Sequence, residues 1–104
     1  MTFEFLRYMY LQHLLSTGQE GEAAEEATNK AVDAAVAKMR AEHQDFDRFL
    51  PGLDYLSRFV FCNHAHIPLV DYLETLYAAV KHGKFTRAWR GHLRDPKALE
   101  MAVQ

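Results

Sequence analysis

AVDAAVAKMRAEHQDFDRFLPG, residues 31–52, carries the pattern that decides the fold class. Its apolar stripe reads Val32, Val36, Met39, His43, Phe46 and Leu50, at spacings of 4, 3, 4, 3 and 4 residues. Recurrence every three or four residues puts side chains on one face of an α-helix, whereas a strand alternates every second residue. The spacing predicts a long helix from about Glu22 to Leu50, with upstream alanines that let another helix approach closely. Pro51 disfavours helical geometry in the residue before it, so the PG pair at 51–52 is expected to end the run. DFDRF, 45–49, is less regular than what precedes it, and Asp45 is read as a start for a separate short turn.

The helical period continues on both sides. Downstream, a third helix is expected from about Leu53 to His64, dense in Tyr55, Phe59 and Phe61 alongside Leu56 and Val60. Pro68 suits the first turn of a fourth helix, where its missing N–H costs nothing. Leu69, Leu73, Leu76 and Val80 give that helix an inward stripe, and Gly83 is a natural stop. A short helix around Thr86 to Leu93 carries Phe85 and Trp89, and Asp95-Pro96 offers an N-cap and first-turn pair for a last one. Upstream, Thr2 is expected to cap a first helix running to about Ser16, before the glycines of TGQEGE, 17–22, release it. The expected fold is therefore all-α: a compact bundle of four main helices plus one or two short C-terminal helices, one domain over 1–104.

The first helix has too much apolar surface for one buried stripe. Phe3, Leu6, Tyr10 and Leu14 form a line, and Phe5, Tyr8, Met9, Leu11 and Leu15 widen it until little of the circumference is polar. Such a helix is central in its fold or covered by a partner. Phe5, Tyr8, Met9 and Tyr10 are the candidate partner interface, with another protein or a second copy of the chain as the occupant.

Composition narrows the class further. A hydrophobic fraction of 49% and a charged fraction of 25% are ordinary globular values. Cys62 is the only cysteine, so no internal disulfide forms, which suits a reducing cytoplasm. The amino-terminal stretch is interrupted by Glu4 and Arg7 and shows neither a signal-peptide pattern nor a membrane span. A cytoplasmic protein without a membrane partner is expected. Charge is uneven: residues 1–50 hold nine acids against five bases, whereas residues 81–104 hold six bases against two acids. Lys84, Arg87, Arg90 and Arg94 recur at helical spacing with Phe85 and Trp89 between them, as contacts to phosphate or to an acidic partner require. The overall pI near 6.3 argues against a dedicated nucleic-acid domain.

FVFCNHAHIP, 59–68, is where the sequence looks most like chemistry. Cys62, His64 and His66 are candidate ligands, but helical spacing sets His64 roughly 160° away from the other two. No H-E-x-x-H or C-x-x-C motif supplies a matching pair. Aromatic neighbours make Cys62 read as a small inert hydrophobe rather than a nucleophile. The stretch reads as a helix–helix corner, and becomes a site only if His43, from the seam before it, faces it. His43 itself occupies an apolar seam and needs a hydrogen-bond partner. No phosphate loop, nucleophile elbow or paired-acid motif appears. The expected function is a small cytoplasmic interaction module (accessory subunit, adaptor or regulator) without catalysis, cofactor or metal of its own. Nucleic-acid binding through the basic face is the alternative, and a metal or redox sensor at Cys62, His64 and His66 the third reading.

Overall fold

Helical periodicity and the breaks between helices dictate the order of elements seen in the computed structural model, which describes residues 2–82 and Lys97. Four helices occupy the described residues: α1 (Glu4–Ser16), α2 (Gly21–Glu42), α3 (Phe46–Val60) and α4 (Leu69–Lys81), with a single 3-10 turn at Phe61–Asn63 between the last two. The all-α bundle expected from the sequence is what is found. The short helices expected beyond Gly83 lie outside the described residues. Among the described residues no helix is long and apolar enough to cross a membrane.

α1 packs on α2 and α3, and α4 packs on the same two, so the order around the bundle is α1, α2, α4, α3. α2 and α3 are consecutive in the chain but share only a small contact. That arrangement forces a sharp bend between them, and it overturns the expected helix from Glu22 to Leu50. His43 leaves helical geometry at φ −133° and ψ 105°, a tight turn closes with Phe46 N–H to His43 O at 3.1 Å, and α3 then begins at Phe46 with Arg48 N–H to Asp45 O at 3.1 Å in its first turn. The bend turns the seam inward: Val32, Met39 and Phe46 are wholly buried on the two sides of it. Asp45 does start a new element, but that element runs on through Pro51 to Val60. Pro51 deprives the Asp47 carbonyl of its helical donor. Both residues are exposed, so the Asp47 carbonyl is open to solvent rather than stranded in the core, and the helix survives.

The ends of α1 show how tertiary contacts replace local ones. Thr2 does not cap it. Phe3 is the N-cap residue, in the left-handed region at φ 61° and ψ 53°, without a side-chain cap bond. Asp54 of α3 performs the capping instead, its carboxylate accepting the Leu6 N–H at 3.0 Å. A negative group at this end also meets the positive pole of the helix dipole. At the other end Gly18, at φ 97°, permits a closed stop: Gly18 N–H to Leu15 O at 3.1 Å and Gln19 N–H to Leu14 O at 3.2 Å. This is the paired bonding of a Schellman termination, which favours glycine at that position.

Two polar devices lie within the packing. Tyr72 of α4 donates to Ser57 Oγ at 3.0 Å, and Ser57 donates to Leu53 O at 2.8 Å. Burial pushes the Tyr72 phenol well above its ordinary pKa, with the Ser57 bond pulling the other way, so it is a neutral tie between α3 and α4. Arg7, only 8% exposed, reaches from α1 to the Thr2 carbonyl, to Asn29 Oδ1 at 2.9 Å and to Asp33 Oδ1 at 2.6 Å on α2.

Arg7→Ala is expected to lower stability by about 2 kcal/mol, because it removes several charge-assisted bonds at once from a buried position. Asp33→Ala should cost only about 0.5 kcal/mol, since that carboxylate is 68% exposed and screened. Urea unfolding midpoints of the two variants measure the difference, and equal losses would contradict it.

Candidate functional site

α1 buries Phe3 and Leu6 against its neighbours, which turns Phe5 and Tyr8 outward one helical turn apart. The structure leaves Phe5 40%, Tyr8 60% and, on α3, Tyr55 53% exposed. Between them stands Arg58. Its guanidinium carbon lies 5.3 Å from the centre of the Phe5 ring and 5.7 Å from that of Phe59. The Phe59 ring meets Tyr55 edge-on at 5.4 Å. Phe5, Arg58, Phe59 and Tyr55 thus form an unbroken line of contacts across α1 and α3. Among the described residues Arg58 has no carboxylate partner, so its charge is held by ring faces, a favourable cation–π arrangement.

Two grooves flank this line. One, of about 550 Å3, is lined by Glu4, Phe5, Tyr8, Met9 and Arg58. The other, of about 380 Å3, is lined by Arg58, Phe59, Cys62 and Asn63. Large aromatic side chains with a central arginine, beside shallow concavities, are the composition that dominates binding energy at protein interfaces.

Of the four interface candidates, Phe5 and Tyr8 are on this face and Met9 lines its groove. Tyr10 is not part of it: half-buried, it packs with its ring 6.0 Å from Phe61. Arg58 was missing from the sequence reading, although the aromatic density of the third helix pointed to its surroundings. A lone arginine four residues before a cysteine carries no signal until α1 is laid against it. Lys84, Arg87, Arg90 and Arg94 lie outside the described residues.

The corner at 59–68 does not assemble as a ligand set. α3 ends at Val60, earlier than expected, and the 3-10 turn follows. Cys62 is exposed rather than enclosed by aromatics, with its thiol 3.7 Å from the Phe59 carbonyl. His64 is buried with its ring 6.1 Å from Tyr72 and 6.5 Å from His66. Its backbone closes the corner, His64 N–H to Phe61 O at 2.8 Å and Ile67 N–H to His64 O at 3.2 Å. Pro68 stands one residue before α4, its carbonyl accepting the Tyr72 N–H at 3.0 Å.

His43 faces elsewhere. Its ring lies on Tyr77 of α4, 4.4 Å between centres, and Nε2 is 2.8 Å from Glu74 Oε1. Glu42, His43 and Glu74 bring one ligand atom each to within 4.8 Å of one another. Beside them, Tyr77 donates to Asp45, and Lys81 reaches both, 3.2 Å from the Tyr77 oxygen and 3.1 Å from Asp45 Oδ2. The Tyr77 hydroxyl foremost, then Lys81, holds the Asp45 carboxyl below its ordinary range. The same contacts raise Lys81.

No family model, curated protein or solved structure matches the chain.

A carboxyl lowered on folding adds stability above its unfolded pKa, about 3.9, and that stability disappears as pH falls through the lower folded value. Asp45→Asn should therefore be less stable than the wild type at neutral pH, with the gap narrowing below about pH 4. Urea midpoints across that range check the sign; a gap that widens on acidification would be the wrong result.

Proposed function

We propose that this chain is a small protein–protein interaction module, an accessory subunit, adaptor or regulator working in the cytoplasm, and that the α1–α3 face is its docking surface. The observation that supports this reading most is the contact line Phe5, Arg58, Phe59 and Tyr55, open to solvent at both aromatic ends. Exposed aromatics grouped around a solvent-facing arginine are the residue types that become anchors when a partner covers them. The free exposed thiol of Cys62 suits a reducing compartment.

The favoured occupant is a second copy of the chain. Glu4 and Arg58 border the same groove, and among the described residues neither has an ion-pair partner. A twofold axis through the groove sets Glu4 of one protomer against Arg58 of its partner, twice, around the apolar centre of Phe5, Tyr8 and Met9. Interfaces of this isologous kind require a patch that is complementary to itself.

In sedimentation velocity the wild type is expected to form dimers. Tyr8→Lys and Arg58→Glu should each return it to monomers, and the double exchange Glu4→Arg with Arg58→Glu should restore dimerisation. Tyr8 is exposed, so its replacement should shift unfolding by no more than about 0.5 kcal/mol. A wild type that stays monomeric removes the second copy as occupant. If Tyr8→Lys also leaves every protein contact of the chain intact, the interaction reading goes with it.

A further inference from the structure

We infer that Glu42, His43 and Glu74 form a binding site for a divalent transition-metal ion of the zinc class, at the edge where the end of α2 meets α4. This site is on different elements from the α1–α3 face and does not rest on the function proposed for that face.

The donor set is the first reason. One imidazole nitrogen and two carboxylate oxygens, each within 4.8 Å of the others, supply the three protein ligands of an open zinc site, with water as the fourth. Bond lengths of about 2.0 to 2.2 Å to nitrogen and oxygen put tetrahedral ligands roughly 3.3 to 3.6 Å apart. Closing the present spacing to that value takes side-chain rotation of glutamates on a surface. The Nε2 to Oε1 distance of 2.8 Å is shorter than a metal-bridged pair, and it opens by about half an ångström when the ion comes between the two atoms and the proton they share moves to Nδ1 or to solvent.

The second reason is that His43 is already oriented. It has left the helix, with its N–H still bonded to Met39 O at 2.9 Å, and its ring lies against Tyr77 at 4.4 Å. That ring contact restricts rotation of the imidazole and keeps Nε2 on the side of Glu74. The third reason is charge. The neighbouring cations are engaged elsewhere, Lys81 with Asp45 at 3.1 Å and Arg40 with Asp47 at 2.8 Å. Glu42 has no cationic partner among the described residues, and Glu74 has only His43. Two carboxylates carry the charge that a divalent cation neutralises, and the imidazole adds a nitrogen donor. The nitrogen donor favours zinc, nickel or copper over magnesium and calcium, which prefer oxygen ligands alone.

Zinc chloride titrated into the tag-free chain, followed by isothermal titration calorimetry, is the test. One equivalent should bind, and Co2+ in its place should give the visible absorption of a tetrahedral site. Glu42→Gln alters an exposed side chain and leaves the fold intact, and it should weaken zinc binding by about tenfold or more. Glu74→Gln should do the same, and magnesium should not compete. The double variant Cys62→Ser with His66→Gln, at the other corner of the molecule, should bind zinc as the wild type does. The assignment is overturned if no saturable equivalent binds, if binding survives Glu42→Gln and Glu74→Gln together, or if it is lost with Cys62 and His66.

Discussion

The burial of Phe46 is the constraint on which the other elements depend. Its ring lies 6.0 Å from Phe3 and 6.1 Å from Tyr77, joining the start of α1 to the middle of α4 from the first residue of α3. Reaching that position requires the chain to stop α2 at Glu42 and bend through His43 to Asp45. It also holds Phe3 in a left-handed backbone. A left-handed residue with a side chain costs about 1 to 2 kcal/mol, and burying a phenylalanine ring returns about 1.5 to 3 kcal/mol. With two rings brought together, burial wins.

Once the bend is in place, its polar groups are pulled into one edge of the bundle. Asp45 does not cap α3 with its own side chain; its carboxylate takes the Tyr77 hydroxyl and Lys81 instead. His43, turned out of the helix, lands on Tyr77 and Glu74. The cluster at the α2–α4 edge is therefore a by-product of the same turn that buries Phe46. The opposite edge follows from α1. Arg7 and Asp54 fix that helix to α2 and α3 by its first turn, and this sets Phe5 beside Arg58. One edge is a charged cluster around the Tyr77 ring, and the other is aromatic around a single cation.

The helical period was legible where a stripe packs against neighbouring helices. Val32, Val36, Met39, Phe46, Leu73 and Leu76 are all buried as their spacing indicated. The excess apolar surface of α1 was legible too, since no single stripe can hold both Leu6 and Tyr8. What misled was Pro51. Its rule describes local costs, the restricted residue before it and the bond it removes, and these are outweighed by the packing of Phe46, Leu50 and Leu53 on the core. The a/d spacing misled in the opposite sense, because it runs unbroken through His43 even though the backbone does not.

By itself the sequence determined that the chain is helical, that the centres of its stripes (Val32, Val36, Met39, Phe46, Leu73 and Leu76) line the interior, and that α1 carries more apolar surface than a core needs. These depend on local spacing and on transfer of side chains out of water, which act over a few residues. Only the tertiary structure decided where α2 ends, that Arg58 stands between Phe5 and Phe59, and that His43 faces Glu74 rather than Cys62. The contacts Phe5 to Arg58 and His43 to Glu74 join residues far apart in the chain. Which distant side chains meet depends on the order of helices around the bundle, and no local period encodes that order.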